Sequence, residues 1–299
     1  IFLLENLRFD RREEENDINF AKELADLGEI YVNDAFSCSH RKHASVATIP
    51  TLMESYAGFH MIKELEALNK FFNTPKGPMT AIVGGSKIST KIGILKKLLL
   101  KVDHLILGGG MANTFLAAKG INIGKSLYEK ENIDDANEIF QIAKIHNCTI
   151  HLPNDCIVSS EFIENAVTSY SLINDLPKNK MILDIGKKSV TNFKKIIDKS
   201  KTVFWNGPLG AFEIKPFEMG TFDLAKYVAV KTEKKLVASI AGGGDTISVL
   251  NKVGVTKSFN YVSLAGGAFL EFLEGKNLPG IKALEINKNW GYYVCLQWI

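Results

Sequence analysis

No apolar run in this sequence reaches the roughly 18 residues that a membrane-crossing helix needs, because charge or glycine cuts each one short. Cysteine is scarce: Cys38, Cys148, Cys156 and Cys295 are all that 299 residues contain, with no CxxC pair, a usage that suggests reduced thiols in a cytosol. In that setting the sequon Asn147-Cys148-Thr149 reads as chance. Charge excess is also missing: 36 Lys and Arg against 33 Asp and Glu leave +3, too little to make nucleic acid the main partner. No G-x-G-x-x-G opens a first βα unit, which disfavours a dinucleotide dehydrogenase. No Ser-His-Asp or Cys-His arrangement can be read from the spacing, and no internal repeat or low-complexity tract is visible.

What remains is the balance of a soluble globular chain of about two domains, 46% hydrophobic and 23% charged. Short apolar runs at 30–32, 80–83, 104–107, 202–205, 236–240 and 261–264 read as strands buried on both faces. They alternate with amphipathic stretches at 92–99, 111–119, 136–146 and 191–197, and that alternation predicts a parallel sheet covered by helices on both sides. A long helical pattern over 56–72, closed by Asn73-Thr74-Pro75-Lys76-Gly77-Pro78, reads either as a domain joint or as an ordinary surface helix and loop. Ile1-Phe2-Leu3-Leu4 reads as a buried strand entered in its middle, so a preceding segment is expected. The Asn-, Trp- and Tyr-rich end after about residue 284 carries no functional reading.

Glycine placement is the most informative pattern. Gly84-Gly85, Gly108-Gly109-Gly110, Gly242-Gly243-Gly244 and Gly266-Gly267 each follow an expected strand and precede a helical stretch. In a doubly wound fold all of them fall at the carboxyl edge of the sheet, where glycine admits a phosphate and a helix start offers free N–H groups. The stretch 120–126 resembles a P-loop but is one residue short and follows helix instead of strand, so it is rejected. Lys87 and Lys91, four apart, are expected on one face of an opening helical turn, where two cations favour an anion; solvated surface lysines are the plainer alternative. Asp245 is a natural N-cap and also a carboxylate suited to magnesium. In Ser39-His40-Arg41-Lys42-His43 no zinc spacing appears; Arg41 suits an anion and both histidines a structural role. The charge run 11–15 reads as a solvated turn.

Taken in order, Leu3-Leu4-Glu5-Asn6-Leu7-Arg8-Phe9, Tyr31-Val32-Asn33-Asp34-Ala35-Phe36, His40-Arg41-Lys42-His43-Ala44-Ser45, 84–91, Gly108-Gly109-Gly110-Met111-Ala112, Trp205-Asn206-Gly207-Pro208-Leu209-Gly210-Ala211-Phe212-Glu213, 242–246 and Leu270-Glu271-Phe272-Leu273-Glu274-Gly275-Lys276 resemble phosphoglycerate kinase in its bacterial form. The resemblance runs from Leu3 to about Leu284. It implies an α/β protein of two doubly wound, Rossmann-like parallel-sheet lobes joined by a long helix, with the N-terminal lobe incomplete. The implied division is 1–56 for the remainder of the phosphoglycerate-binding lobe, 57–74 for the interdomain helix, 75–265 for the nucleotide-binding lobe, and 266–299 for a segment returning to the first lobe. The implied reaction moves a phosphoryl group between 1,3-bisphosphoglycerate and ADP, with Mg2+ accompanying ATP or ADP, in a cytoplasmic monomer without nucleic-acid or membrane partners.

Carried over by motif, the resemblance assigns Arg8 and Arg41 to the phosphoglycerate. Lys87 is implied to accompany the group in transit and Lys91 to contact nucleotide phosphates, while Glu213 is implied to bind the ribose with Asn206 nearby. Gly243, Gly244, Asp245 and Thr246 match the phosphate loop, with Asp245 serving magnesium, and Gly266 and Gly267 open a helix facing the transferred group. Because the acceptor in the reverse direction is a carboxylate already ionised at neutral pH, no general base is required.

Departures from the family pattern are also expected to matter. The Asp-x-Asn segment, a catalytic arginine and a His-x-x-Arg motif of the family's first quarter are not found, Leu264 and Ala265 replace the usual Thr and Gly, and an open sheet edge with exposed core is predicted for the first lobe. Two readings therefore stand, an active kinase or a nucleotide-binding remnant without turnover. An unrelated sugar-phosphate enzyme would require the ordered motifs to be coincidence.

Overall fold

The structure, a computed structural model, describes residues 1–72 and 77–286. The loop 73–76 of the expected joint, the tail from 287 onward and Cys295 lie outside the described residues. The chain divides into two compact units, one formed by 1–68 with 265–299 and the other by 69–264.

The first unit opens with α1 (Arg11–Glu14) and α2 (Ile18–Ala25), capped by the Asp10 and Asp17 carboxylates, followed by strands β1 (Ile30–Asn33) and β2 (Glu54–Ala57). Helix α3 (Phe59–Phe72) then runs across the division between the units. In the second unit come β3 (Met79–Val83), α4 (Ile92–Leu98), β4 (His104–Leu107), α5 (Gly109–Ala118), α6 (Ile133–Ile145) and β5 (Thr149–His151). Strands β6 (Asp155–Ser159), β7 (Ser169–Leu172) and β8 (Met181–Ile185) follow, then α7 (Lys187–Lys199), β9 (Thr202–Asn206), α8 (Met219–Glu233), β10 (Ala238–Gly242), α9 (Gly244–Val253) and β11 (Tyr261–Ser263). Helices α10 (Gly267–Leu273) and α11 (Pro279–Ile286) complete the first unit.

Six strands form the main sheet in the order β11-β10-β9-β3-β4-β5, every pair parallel. Winding starts at β3, moves outward through β4 and β5, and then returns past β3 through β9, β10 and β11. This is the doubly wound order, and its switch point, where ligand crevices form, lies between β3 and β9. Both central strands are buried along their whole length, as expected of strands that carry the apolar runs 81–83 and 203–205. Phe193 and Ile197 of α7 and Leu224 and Val228 of α8 pack with Val203 and Trp205. Burying such side chains is worth about 1.5–3 kcal/mol each, which keeps the carboxyl edge rigid.

Several expectations are corrected. Strands β6, β7 and β8 form a separate antiparallel sheet in the order β7-β6-β8, where only parallel pairing was foreseen. Residues 1–6 form no strand and are exposed, since β1 and β2 pair only with each other among the described residues. For the same reason β1 is not buried on both faces: Ile30 and Val32 are each 56% exposed. Tyr56 belongs to β2 and not to the long helix. Strand β10 begins at Ala238, and β11 ends before Leu264, which is exposed.

Candidate functional site

At the switch point the loops leaving β3, β4 and β9 touch backbone to backbone. The Gly84 amide donates to the Asn206 carbonyl at 3.0 Å, and a Cβ on Gly84 would collide with the Pro208 carbonyl oxygen. Gly109, with φ of +68°, donates to the Leu209 carbonyl, and a Cβ there would lie 2.6 Å from the Gly85 carbonyl oxygen. Glycine is needed at these two positions for interlocking. The first two clusters are thus largely explained by loop packing, a refinement of the ligand-cradle expectation. The fourth cluster, Gly266 and Gly267, comes three residues after the end of β11 and is grouped with the first unit.

The third cluster is open at Gly244, whereas a Cβ on Gly243 would stand 2.6 Å from Asn206 Nδ2. Gly243, at φ of +97°, occupies the N-cap of α9, and Gly244 has nothing within 4 Å of where a Cβ would stand. Asp245 is exposed in the first helical turn and is not the N-cap, a correction with a consequence: its carboxylate is not spent on capping. Thr246 is buried below it, its hydroxyl accepting from the Gly207 amide at 2.7 Å and donating to the Gly242 carbonyl at 2.9 Å. The Thr246 hydroxyl therefore braces the loops.

Asn206 ends β9 and is buried; its Nδ2 donates to the Gly242 carbonyl at 2.7 Å. Its Oδ1 accepts from Lys91 Nζ at 2.7 Å, and the same ammonium donates to the Gly84 carbonyl at 2.6 Å. Lys91 so spans the switch point. Burial pushes its pKa down to about 8, opposed by the negative charge of Asp245. The structure thus brings Lys91, Asn206, Gly243, Gly244, Asp245 and Thr246 to one place.

Lys87 is separate from Lys91 in environment. No helical turn joins them: α4 starts at Ile92, and the chain between them turns with buried Ile88 inward, the Lys91 amide donating to the Ile88 carbonyl. Lys87 is exposed while the Lys91 ammonium is withdrawn to the backbone. Glu213 is exposed on the loop after β9. Sequence reasoning missed Glu129, whose carboxylate holds Ser89 in the Lys87 loop; no local pattern marks a partner 40 positions away.

In the first unit Arg8 and Arg41 are exposed, and both act on His43. Burial first, then these two cations, lower the His43 pKa against the opposing pull of Glu13, whose Oε1 lies 3.7 Å from His43 Nδ1. Gly266, at φ of +56°, and Gly267 open α10, and a Cβ on Gly267 would stand 3.6 Å from His40 Nε2. Among the described residues no group of three or more His, Cys, Asp or Glu is placed to hold a metal by itself. The rejected P-loop look-alike is occupied structurally: the Lys125 amide donates to the Lys180 carbonyl, and Ser126 Oγ accepts from the Ile182 amide.

Comparison with known proteins adds the following. The family model described as phosphoglycerate kinase matches residues 1–276. A phosphoglycerate kinase of Zymomonas mobilis is 51% identical over 285 residues, which covers 95% of this chain and 72% of the relative. One from Agrobacterium fabrum is 50% identical over 288 residues, covering 96% and 72%. The solved phosphoglycerate kinase of Coxiella burnetii superimposes with a TM-score of 0.89 at 46% identity, covering 94% of this chain and 72% of that one. That of Pyrococcus horikoshii gives 0.81 at 29% identity, covering 95% and 72%.

Proposed function

The chain belongs to the phosphoglycerate kinase family, and from that premise we propose that its second unit holds the nucleotide of the kinase reaction at the switch point. The activity is that of a glycolytic phosphotransferase, moving a phosphoryl group between 1,3-bisphosphoglycerate and ADP to give 3-phosphoglycerate and ATP. The observation that carries the site is the Lys91 ammonium, fixed between Gly84 and Asn206 beside the start of α9, where Gly244 and Asp245 are exposed. A helix N-terminus and a desolvated cation together favour the nucleotide phosphates.

Magnesium suits this donor set. Asp245 offers one exposed carboxylate beside the phosphate position, which matches an ion that keeps most of its waters and takes its other ligands from phosphate. Magnesium, when bound there, supplies positive charge that screens the phosphate oxygens. Lys91 adds a fixed cation, Asn206 and Thr246 hold the three loops in register, and exposed Lys87 is free to follow the transferring group. Glu213 takes the ribose. Arg8 and Arg41 bind the phosphoglycerate, and Gly266 and Gly267 present the α10 amides to the transferred group. No general base is invoked: the accepting ADP phosphate oxygen and the departing carboxylate, which is the acceptor in the reverse direction, are both ionised near pH 7. Among the described residues no helix is long and apolar enough to cross a membrane.

Calorimetric titration of the 299-residue chain with ADP tests this. Affinity is expected to fall when magnesium is chelated, and Asp245→Asn is expected to lose about tenfold of the magnesium-dependent affinity, about 1.4 kcal/mol. Equal affinity with and without magnesium would remove Asp245 from the metal.

A further inference from the structure

We infer that Glu129 is a positioning residue for the lysine-bearing loop between β3 and α4, clamping its crest to α5. The inference rests on the nucleotide site assigned above. That loop is tied at its ends by Gly84 and Lys91, but residues 86–90, apart from buried Ile88, are exposed. Its middle is held from a distant part of the sequence: the Ser89 amide donates to Glu129 Oε2 at 2.9 Å and the Ser89 hydroxyl to Oε1 at 2.5 Å. The backbone at Ile88 also favours the ionised form of the same carboxylate.

Glu129 in turn is fixed to the frame of the site. Its own amide donates to Thr114 Oγ1 at 3.1 Å, and Asn113 Nδ2 donates to the Leu127 carbonyl at 3.0 Å. Both Asn113 and Thr114 are buried on α5, the helix that begins at Gly109 against the switch-point loops. Several donors on one ionised acceptor make charge-assisted bonds, stronger than neutral ones and geometrically restrictive. Partial burial works to raise the Glu129 pKa, yet the Ser89 donors, the Ile88 backbone and the charge of Lys87 outweigh it and hold the carboxyl below its usual value. The geometry therefore keeps Glu129 ionised, with its charge spent on the loop amides beside Lys87 and not presented to an incoming phosphate.

The test compares the parent with Glu129→Ala, Glu129→Gln and Lys91→Ala, reading amide exchange by NMR and MgADP affinity by calorimetry. Glu129→Ala is expected to speed exchange at Ile88 and Ser89 by about tenfold or more and to weaken MgADP about threefold to tenfold, on the scale of one lost charge-assisted contact. Glu129→Gln, which keeps one acceptor at the same reach, is expected to recover part of both, a rescue that a purely volumetric role would not give. Parent-level exchange at Ile88 and Ser89 in Glu129→Ala overturns the clamp. Fast exchange with parent affinity in Glu129→Ala, while Lys91→Ala weakens binding, overturns the positioning role but leaves the phosphate site intact. Parent affinity in Lys91→Ala as well overturns both readings.

Discussion

Lys91 shows how one buried ammonium ties charge to pH. With its pKa brought down to about 8 from 10.5, the native state binds fewer protons than the unfolded chain between those values. Stability from this group therefore rises with pH across that window and is lost as pH falls through 8. Phosphate attraction has the opposite sign, because the cation disappears above 8. We expect MgADP affinity to decline between pH 7.5 and 9 while the nucleotide-free protein gains stability, a crossing that calorimetry and urea titration would record; Lys91→Met should abolish both slopes. The sequence made a lysine beside the glycine loops legible but misjudged its setting. Four-residue spacing suggested a helical turn shared with Lys87, whereas buried Ile88 draws the chain into a loop first. Asp245 was misread for a related reason: Gly243 takes the N-cap with a backbone angle that residue identity does not reveal.

Among the elements, the glycine loops carry a measurable distinction between close approach and backbone strain. Gly109→Ala must adopt φ of +68° and also displace the Gly85 backbone, while Gly120→Ala at φ of +74° meets open space. Strain alone costs about 1–2 kcal/mol. Gly109→Ala should lose about 2 kcal/mol more than Gly120→Ala in urea unfolding, because the interlocked loops cannot relax independently. Equal losses would mean that the loops move apart easily. The parallel sheet was legible because β3, β4 and β9 each carry a short apolar run, 81–83, 105–107 and 203–205. The β7-β6-β8 sheet was not. Its first strand begins with Asp155, a fully buried carboxylate whose acceptance of the Lys188 and Ser189 amides at the start of α7 depends on contacts more than 30 residues away.

Across the whole molecule, the two units differ in how well they cover apolar surface. The first exposes Ile30 and Val32 on its two-stranded sheet and Phe59, 90% exposed, at the start of α3, while the second encloses an extended core. The open sheet edge and exposed apolar residues anticipated from sequence are thus present in the first unit. Patches of this kind drive association. Sedimentation velocity should show concentration-dependent self-association that Ile30→Thr with Val32→Thr reduces, leaving MgADP affinity unchanged because the proposed phosphate site is built in the second unit. A parent that stays monodisperse at high concentration would contradict this.

The central claim, that nucleotide phosphates and metal gather at the start of α9 across from Lys91, is tested most directly by paramagnetic substitution. With the amide resonances assigned, the protein is titrated with MnADP in place of MgADP. The account predicts that broadening is strongest at Gly243, Gly244, Asp245 and Thr246 and extends to the 84–91 loop. Strongest broadening elsewhere in the second unit, or none with ADP bound, would contradict it.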